Sequence, residues 1–326
     1  MTNLFSKTYG CLAGLAIGDA LGSATEGMSP SEIKTKYGKI DNFVSGNIAG
    51  TDDTEYMILT AKILLENNGE VNYEKVAKGW LKYVGKEKEF KRGGTSEIEA
   101  IENLRKGIKP PKSGLIGSAN WSDGAAMRVA PIGIYCAGNP EKAAKLAEID
   151  ASISHAKDGI YCAQALAASI SQAFISDNVE RVINAGIDFL PKNSASYRLI
   201  QKILRVAQKY DNPISAINGL YKLKTKCPWY APEALGYAYA MFKLGKGNFK
   251  DSVLGAVNLG RDADTIAAMT GALCGAMNGI GDIPKNWVEK CRVVKGVCIK
   301  SFCGIDIKTI AEELEELRSS AEGNFT

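Results

Sequence analysis

Two short acidic clusters are the parts of the sequence best suited to chemistry. Together they provide four carboxylates and two threonine hydroxyls, all hard oxygen ligands: Thr51, Asp52, Asp53, Asp262, Asp264 and Thr265. The chain has a single histidine, and its eight cysteines include no C-x-x-C pair, so a zinc site is not indicated. Oxygen ligands of this kind favour Mg²⁺ or Mn²⁺, and their number suits two ions better than one.

Helix capping is the alternative interpretation of the first cluster. Thr51, Asp52 and Asp53 immediately precede a helical run, 56–65, and threonine or aspartate at a helix start is a favourable cap. Asp52 with Glu55 three residues later also resembles a capping box, and acids in a first turn favour the helix dipole. Considered alone, the first cluster therefore favours capping.

The second cluster is harder to explain as a cap. It precedes a small, apolar helix predicted over 266–277, beside which an unpaired carboxylate is costly. Side chains two residues apart on a regular helix diverge by about 200°. Asp262 and Asp264 can therefore converge only if Asp262 lies in the entering turn while Asp264 caps the helix. That geometry suits a shared cation.

Helical periodicity predicts the scaffold that positions these clusters. Apolar residues recur at spacings of three and four, as in Met57, Ala61 and Leu64, whereas alternation over a strand's length is scarce. The turn clusters are too short to be interdomain linkers. We therefore expect an all-α fold, organised as one compact domain over residues 1–326.

Two predicted helices carry glycines at four-residue spacing, which lets a neighbouring backbone approach closely. One contains Gly14, Gly18 and Gly22, and the other contains Gly271 and Gly275. Both should be buried at the centre of the fold. Asp19 lies inside the first, so its carboxylate needs a cation or several hydrogen-bond donors.

Composition excludes several classes of protein. The 326 residues are 45% hydrophobic and 23% charged, with a formal net charge of +4, which is too small to indicate a nucleic-acid partner. No apolar stretch is long enough for a membrane span, and the first residues lack the pattern of a signal peptide. We expect a cytoplasmic protein, and nothing in the sequence indicates its oligomeric state.

Five motifs, in order along the chain, resemble the ADP-ribosylglycohydrolase family, which includes dinitrogenase reductase-activating glycohydrolase and ADP-ribosylarginine and ADP-ribosylserine hydrolases. They are Gly14-Leu15-Ala16-Ile17-Gly18-Asp19-Ala20-Leu21-Gly22 followed by Glu26, then Thr51-Asp52-Asp53-Thr54, Gly124-Ala125-Ala126-Met127-Arg128-Val129-Ala130-Pro131-Ile132-Gly133, Ser154-His155, and Gly260-Arg261-Asp262-Ala263-Asp264-Thr265. The family fold is all-α, in agreement with the periodicity.

The resemblance implies a function for the acidic clusters. Their six residues would hold two Mg²⁺ or Mn²⁺ ions beside the ribose of the substrate, and Glu26 and Asp53 would be the catalytic candidates. The implied substrate-binding residues are Asn120, Trp121, Ser122, Asp123, Gly124, Met127 and His155. Without the resemblance, Glu26 is an ordinary solvated acid, and a lone histidine such as His155 is more often structural.

Two departures bear on the substrate. Asp123 stands where several ADP-ribose-cleaving members carry asparagine, and a carboxylate repels a diphosphate unless something neutralises it. The stretch 90–96 lacks the acid found there in the bacterial arginine-specific enzyme, so arginine specificity is not expected. Arg128 is near the site in the family, but it could simply pair with Asp19. Trp229 and Tyr230 could stack on a base or cover the core.

We therefore predict a metal-dependent hydrolase of a ribosyl glycosidic bond, releasing ADP-ribose from a modified protein or a small acceptor. Hydrolysis of a simpler N-ribosyl compound such as a nucleoside is the alternative that Asp123 favours. A non-catalytic, ADP-ribose-binding member is a second alternative, opposed by the survival of all six ligand positions. A terpenoid-type synthase fits poorly, because Tyr56 stands where its D-D-x-x-D motif requires an acid.

Overall fold

Helices make up the regular structure of the protein. The computed structural model describes residues 3–44, 48–87 and 93–323, and within these ranges there are seventeen α-helices and no β-strand. The prediction of an all-α fold is confirmed. The segment Phe90–Arg92, part of the stretch without the arginine-specific acid, lies outside the described residues. The helices are α1 Asn3–Gly22, α2 Pro30–Tyr37, α3 Asp52–Glu66, α4 Tyr73–Tyr83, α5 Thr95–Arg105, α6 Lys112–Leu115, α7 Ala130–Tyr135, α8 Pro140–Ala151, α9 Asp158–Ala173, α10 Val179–Ile187, α11 Ala195–Ala207, α12 Pro213–Tyr221, α13 Ala231–Leu244, α14 Phe249–Leu259, α15 Ala263–Asn278, α16 Lys285–Cys291 and α17 Ile307–Gly323.

Seven of the helices start at a side chain that caps them. An asparagine or serine accepts a backbone N–H of the first turn at the starts of α2, α4, α8, α10, α11, α12 and α14. The helices α3 and α15, like α5, α9 and α13, have no such cap, and the side chains of their N-cap residues, Thr51 and Asp262, make no capping hydrogen bond. The side chains of the two acidic clusters are thus available for another role.

The pairing of α1 with α15 forms the centre of the fold. A methyl group added at Gly18 would lie 2.1 Å from the carbonyl oxygen of Ala267, and one added at Gly271 would lie 2.1 Å from that of Gly14. The facing pairs run in opposite order along the two helices, so α1 and α15 are antiparallel. The predicted close approach of a neighbouring backbone is confirmed for both helices, and the structure shows that each is the other's neighbour, which brings the end of α1 to the start of α15.

The remaining helices surround this pair. Helices α9, α13 and α14 pack on α15, while α3, α7 and α17 pack on α1. One cluster of buried apolar side chains includes residues from Tyr9 to Leu314. No helix within the described ranges is long and apolar enough to cross a membrane. The organisation of residues 1–326 as a single domain stays a prediction.

Candidate metal centre and substrate cleft

Three helix ends meet at the buried carboxylate of Asp19. This residue lies near the end of α1, with none of its surface exposed. Its Oδ2 accepts hydrogen bonds from the backbone N–H groups of Thr51 (2.7 Å) and Thr54 (3.1 Å) and from the Thr54 hydroxyl. The start of α3 is therefore held by a side chain of α1. The N-terminus of α15 lies beside the end of α1 because the two helices are paired.

Asp53 links the two acidic clusters. Its Oδ2 accepts the hydroxyls of Thr51 and Thr265, each at 3.3 Å, so the first turns of α3 and α15 contact the same carboxylate. One oxygen from each of Asp19, Asp53 and Asp264 lies within 4.8 Å of the others. A second group of the same size contains Glu26, Asp262 and Asp264. The two groups overlap at Asp264, while Asp52 lines the cleft beside them.

The electrostatics of this cluster are unfavourable without cations. Burial, followed by the repulsion of Asp19 and Asp264, raises the pKa of Asp53 well above its ordinary value. Burial and then Glu97 and Asp19 raise the pKa of Asp52 to about 8. The pKa values of Asp262 and Asp264 are also raised, in each case mainly by burial and then by a neighbouring carboxylate.

Divalent cations fit this environment. Among the described residues, Asp19 Oδ1 and Asp53 Oδ1 are buried without a hydrogen-bond partner, which is costly for a carboxylate that has no counter-charge. The donor set consists of carboxylate and hydroxyl oxygens, which Mg²⁺ and Mn²⁺ prefer. Two overlapping groups of ligand atoms are what a pair of cations with a shared carboxylate would need.

Capping does not explain either cluster, and two details of the sequence interpretation are wrong. Asp52 and Glu55 do not form a capping box, because the Glu55 carboxylate accepts the backbone N–H groups of residues 297–299 at 2.5 to 2.8 Å. Asp264 does not cap α15: it lies inside the first turn, and its Oδ1 accepts the N–H of Thr265 at 3.1 Å. The expected place of Asp262, in the entering turn, is confirmed.

Arg261 holds the turn that presents Asp262. Its backbone has a φ of +66°, in the left-handed region. Its Nε donates to Glu233 Oε1 at 2.6 Å, and its Nη2 donates to the carbonyl of Thr225 at 3.0 Å. Glu233 is fully buried. This ion pair fixes a strained backbone directly before a proposed metal ligand.

A cleft with about 1100 Å³ of empty space, part of which is open solvent, lies above the acidic cluster. Glu26 lies in its wall and is exposed, beside Asp262 and Asp264. Five of the seven sequence-predicted substrate residues also line the cleft: Trp121, Ser122, Asp123, Gly124 and Met127. The structure therefore brings the ligand clusters, Glu26 and most of the substrate loop together.

The other two predicted substrate residues lie behind the cleft wall. The Asn120 side chain donates to the carbonyl of Leu115 at 2.9 Å. His155 is buried, and its Nε2 lies 3.0 Å from the Ser122 hydroxyl. Neither residue is among those that line the cleft. Asp123 is buried in the wall, its carboxyl hydrogen-bonded to that of Asp262, and its Oδ2 has no partner among the described residues.

Of the two roles considered for Arg128, pairing with Asp19 is wrong. Arg128 is fully buried and forms ion pairs with Asp150 (2.8 Å) and Glu97 (3.3 Å), while Asp19 is occupied by the start of α3. Sequence reasoning missed Glu97, although it lines the cleft close to the stretch in which an acid was sought. Its position in the first turn of α5 was an available signal. Trp229 also lines the cleft and is 51% exposed.

Comparison with known proteins identifies the family of the chain. The family model described as ADP-ribosylglycohydrolase matches residues 1–323, and the chain belongs to that family. A protein of Archaeoglobus fulgidus, named only as uncharacterized, is 33% identical over 87% of this chain and 90% of its own. The ADP-ribosylarginine hydrolase Tri1 of Pseudomonas putida is 27% identical, over 87% of this chain and 74% of its own.

A solved structure has the same fold. The structure titled ADP-ribosylglycohydrolase-related protein complex aligns with a TM-score of 0.70 at 23% identity, covering 98% of this chain and 100% of its own. Membership of the family supports a hydrolase that acts on a glycosidic bond of ADP-ribose.

Proposed function

We propose that the protein is a hydrolase that requires two divalent cations, Mg²⁺ or Mn²⁺, and releases ADP-ribose from a modified acceptor. One observation carries the proposal: two groups of carboxylates that share Asp264, all buried except the exposed Glu26, lie at an open cleft, and Oδ1 of Asp19 and Oδ1 of Asp53 have no hydrogen-bond partner among the described residues. The proposed ligands are Thr51, Asp52, Asp53, Asp262, Asp264 and Thr265. Retention of all six positions argues against a non-catalytic, ADP-ribose-binding role.

Each part of the site has a task in this proposal. When bound, the cations would supply Lewis-acid polarisation at the ribose end of the cleft. The residues of the chain orient the reactants: Asp53 ties the two ligand clusters together, and Glu26 is exposed at the cleft wall, where its carboxyl can exchange a proton with water or the leaving atom. An oxocarbenium-like transition state would be stabilised by the carboxylates below it.

A second substrate is favoured by Asp123. Its carboxylate lies in the cleft wall with an oxygen that has no partner among the described residues, and a diphosphate placed there would be repelled. A simpler N-ribosyl compound such as a nucleoside avoids that repulsion. The acceptor in the first proposal is a protein side chain or a small molecule, and the Pseudomonas putida relative is named as an ADP-ribosylarginine hydrolase.

Incubation with ADP-ribosylated protein and, separately, with free nucleosides would test the proposal. Each reaction contains Mg²⁺, Mn²⁺ or a chelator, and released ADP-ribose or ribose is quantified. We expect one of the two substrate classes, ADP-ribosylated protein or nucleoside, to be hydrolysed, and we expect that hydrolysis to require a divalent cation. Asp262→Ala should lower kcat/KM at least about a hundredfold, since even outer-shell changes at metal sites cost tenfold to a hundredfold. Asp211→Asn, an exposed acid elsewhere, is the control. Turnover that survives chelation or the Asp262 substitution would contradict the proposal.

A further inference from the structure

A closed ring of hydrogen-bonded, buried side chains forms part of one wall of the cleft. It consists of six residues, all at most 8% exposed, that come from four separate parts of the chain. In the order of their hydrogen bonds they are Arg128, Ser154, His155, Ser122, Ser96 and Glu97, and the ring closes where Arg128 donates to Glu97. Ser96, Glu97 and Ser122 also line the cleft, so the ring is part of its wall.

The direction of the hydrogen bonds can be worked out from Arg128. Its five N–H groups are all donated: Nε to the Asp150 carboxylate, Nη1 to Glu97 and the Gly124 carbonyl, and Nη2 to the Asp150 carbonyl and to Ser154 Oγ. Because a guanidinium cannot accept, Ser154 Oγ must accept here, at 3.0 Å. The Ser154 hydroxyl proton then points to His155 Nδ1, 2.7 Å away.

The tautomer of His155 sets the direction of the next hydrogen bonds. If Nδ1 accepts, a neutral imidazole carries its proton on Nε2, which donates to Ser122 Oγ at 3.0 Å. At the other end, the Glu97 carboxylate accepts the Ser96 hydroxyl at 2.7 Å. Ser96 Oγ therefore accepts from Ser122, 3.0 Å away. Every hydroxyl and imidazole proton in the ring is thus donated in a hydrogen bond. Each donor lies nearer to Arg128 along this series and each acceptor nearer to Glu97.

The opposite direction of hydrogen bonding around the ring would leave one buried hydroxyl proton without an acceptor. A protonated Glu97 would donate to Ser96 and so turn the chain of hydroxyls round, until His155 donated from Nδ1 to Ser154. Ser154 Oγ would then accept from both His155 and Arg128, and its own buried proton would lack an acceptor among the described contacts. Burial raises the pKa of Glu97, and the adjacent Arg128 guanidinium and the Ser96 hydroxyl offset only part of that rise, so the unpaired Ser154 proton is what disfavours this direction.

We propose that this ring is a directed relay in which His155, as the Nε2–H tautomer, positions Ser122 so that the substrate meets hydrogen-bond acceptors at this wall. The hydroxyl protons of Ser122 and Ser96 are donated within the ring, and each oxygen also accepts one hydrogen bond there, which leaves one lone pair of each oxygen for the cleft. The Glu97 and Asp123 carboxylates are acceptors as well. The part of the substrate that contacts this wall must therefore present N–H or O–H donors.

His155 is a positioning residue in this account, since it acts on the substrate only through Ser122. Burial and the nearby Arg128 lower the pKa of His155 well below its ordinary value, in keeping with a neutral ring. The inference about substrate donors rests on the proposed hydrolase function, but the relay itself does not. It can therefore be tested without any turnover.

Nitrogen NMR of the single histidine is the decisive experiment. Because His155 is the only histidine in the chain, a long-range ¹H–¹⁵N spectrum of protein without a histidine tag needs no assignment. With Mg²⁺ present and near neutral pH, we expect a protonated Nε2 and an unprotonated Nδ1. An Nδ1–H tautomer or an imidazolium would overturn the relay. Absence of hydrolysis in a protein with the expected tautomer would overturn only the proposed function.

Two variants probe the direction of the relay. Glu97→Gln offers an amide N–H to Ser96, so it should shift the histidine towards the Nδ1–H tautomer, while Glu102→Gln, an exposed acid on the same helix, should not. Ser154→Ala removes the donor to Nδ1 and should give a mixture of tautomers. If neither Glu97→Gln nor Ser154→Ala changes the spectrum of the folded protein, the ring does not set the tautomer.

Kinetics test the positioning of Ser122. His155→Leu removes the donor to Ser122 and should raise KM about threefold to tenfold with a smaller change in kcat, the size expected for one hydrogen bond. His155→Gln keeps an N–H group on a side chain of similar reach and should restore KM to within about twofold. Equal KM values for His155→Leu and the unaltered protein would contradict the role of His155.

Discussion

Removal of divalent cations should destabilise the protein more at about pH 8 than at about pH 5.5. The reason lies in the cluster of Asp19, Asp52, Asp53, Asp262 and Asp264, whose pKa values are raised mainly by burial and then by mutual repulsion. A raised pKa means that the folded, metal-free protein binds these protons more tightly than the unfolded chain does. The free energy of unfolding therefore falls as the pH rises from the ordinary aspartate value of about 4.

Cations reverse this loss, and the size of the effect can be worked out. At a hundredfold excess over Kd, one bound ion adds about 2.7 kcal/mol to the free energy of unfolding, so two add about 5 kcal/mol. For a chain longer than 250 residues, 1 kcal/mol corresponds to roughly 2 °C in Tm, which gives about 10 °C at the higher pH. The shift should be smaller at the lower pH, because protons compete with the cations for the same oxygens.

Thermal unfolding with Mg²⁺, Mn²⁺ or chelator, at both pH values, is the assay. Asp262→Asn is the informative variant, since Asp262 makes no capping hydrogen bond that the substitution would remove. It should abolish most of the metal-induced shift and leave the chelated protein at least as stable as the unaltered one at the higher pH. The control is Asp211→Asn. Two results would contradict this prediction: a chelated protein that is more stable at about pH 8 than at about pH 5.5, or a metal-induced shift in Tm that is unchanged in Asp262→Asn.

Three further substitutions test the scaffold of the site. Gly18→Ala places a methyl 2.1 Å from a carbonyl oxygen of α15 and should cost about 3 kcal/mol or more, whereas Gly281→Ala, with open space around it, should change the free energy of unfolding by less than about 0.5 kcal/mol in urea denaturation. Asp19→Ala frees the start of α3 and should weaken Mn²⁺ binding at least about tenfold, as measured by titration. Arg261→Ala leaves Glu233 buried without its partner and should cost about 3 to 5 kcal/mol, of which a second substitution, Glu233→Gln, should recover part.

The all-α fold could be predicted from the sequence because helices depend on local patterns of apolar residues. Apolar spacing predicted an all-α fold, and glycines four residues apart predicted a close neighbouring backbone for each of two central helices, but not that these helices pack on each other. Asp19 lies inside one of these apolar helices, so its need for a cation or several hydrogen-bond donors was also predictable. What the sequence could not supply was the identity of those donors, since 32 residues separate Asp19 from Thr51.

The acidic clusters show how an ambiguity of local pattern is resolved by tertiary structure. In sequence, Asp52 and Glu55 have the spacing of a capping box, and only the position of the loop 297–299, more than 240 residues away, shows that Glu55 is used elsewhere. The N-terminus of α3 is capped instead by Asp19, a side chain from another helix. Capping and metal binding thus use different carboxylates.

The ring in the cleft wall explains why the sequence did not assign the roles of Arg128, Glu97 and His155. Each is of a residue type that can have several roles, and one hydrogen-bond partner of each lies 22 to 33 residues away, at a spacing that no local pattern indicates. Burial decides between those roles, because a buried guanidinium must use all five donors and so fixes the protons of the groups around it. His155 lies where the family motif places a residue of the substrate site, yet its effect on the substrate is expected to pass through Ser122. The direction of that hydrogen bond, rather than the charge of the imidazole, would determine which groups the cleft can bind.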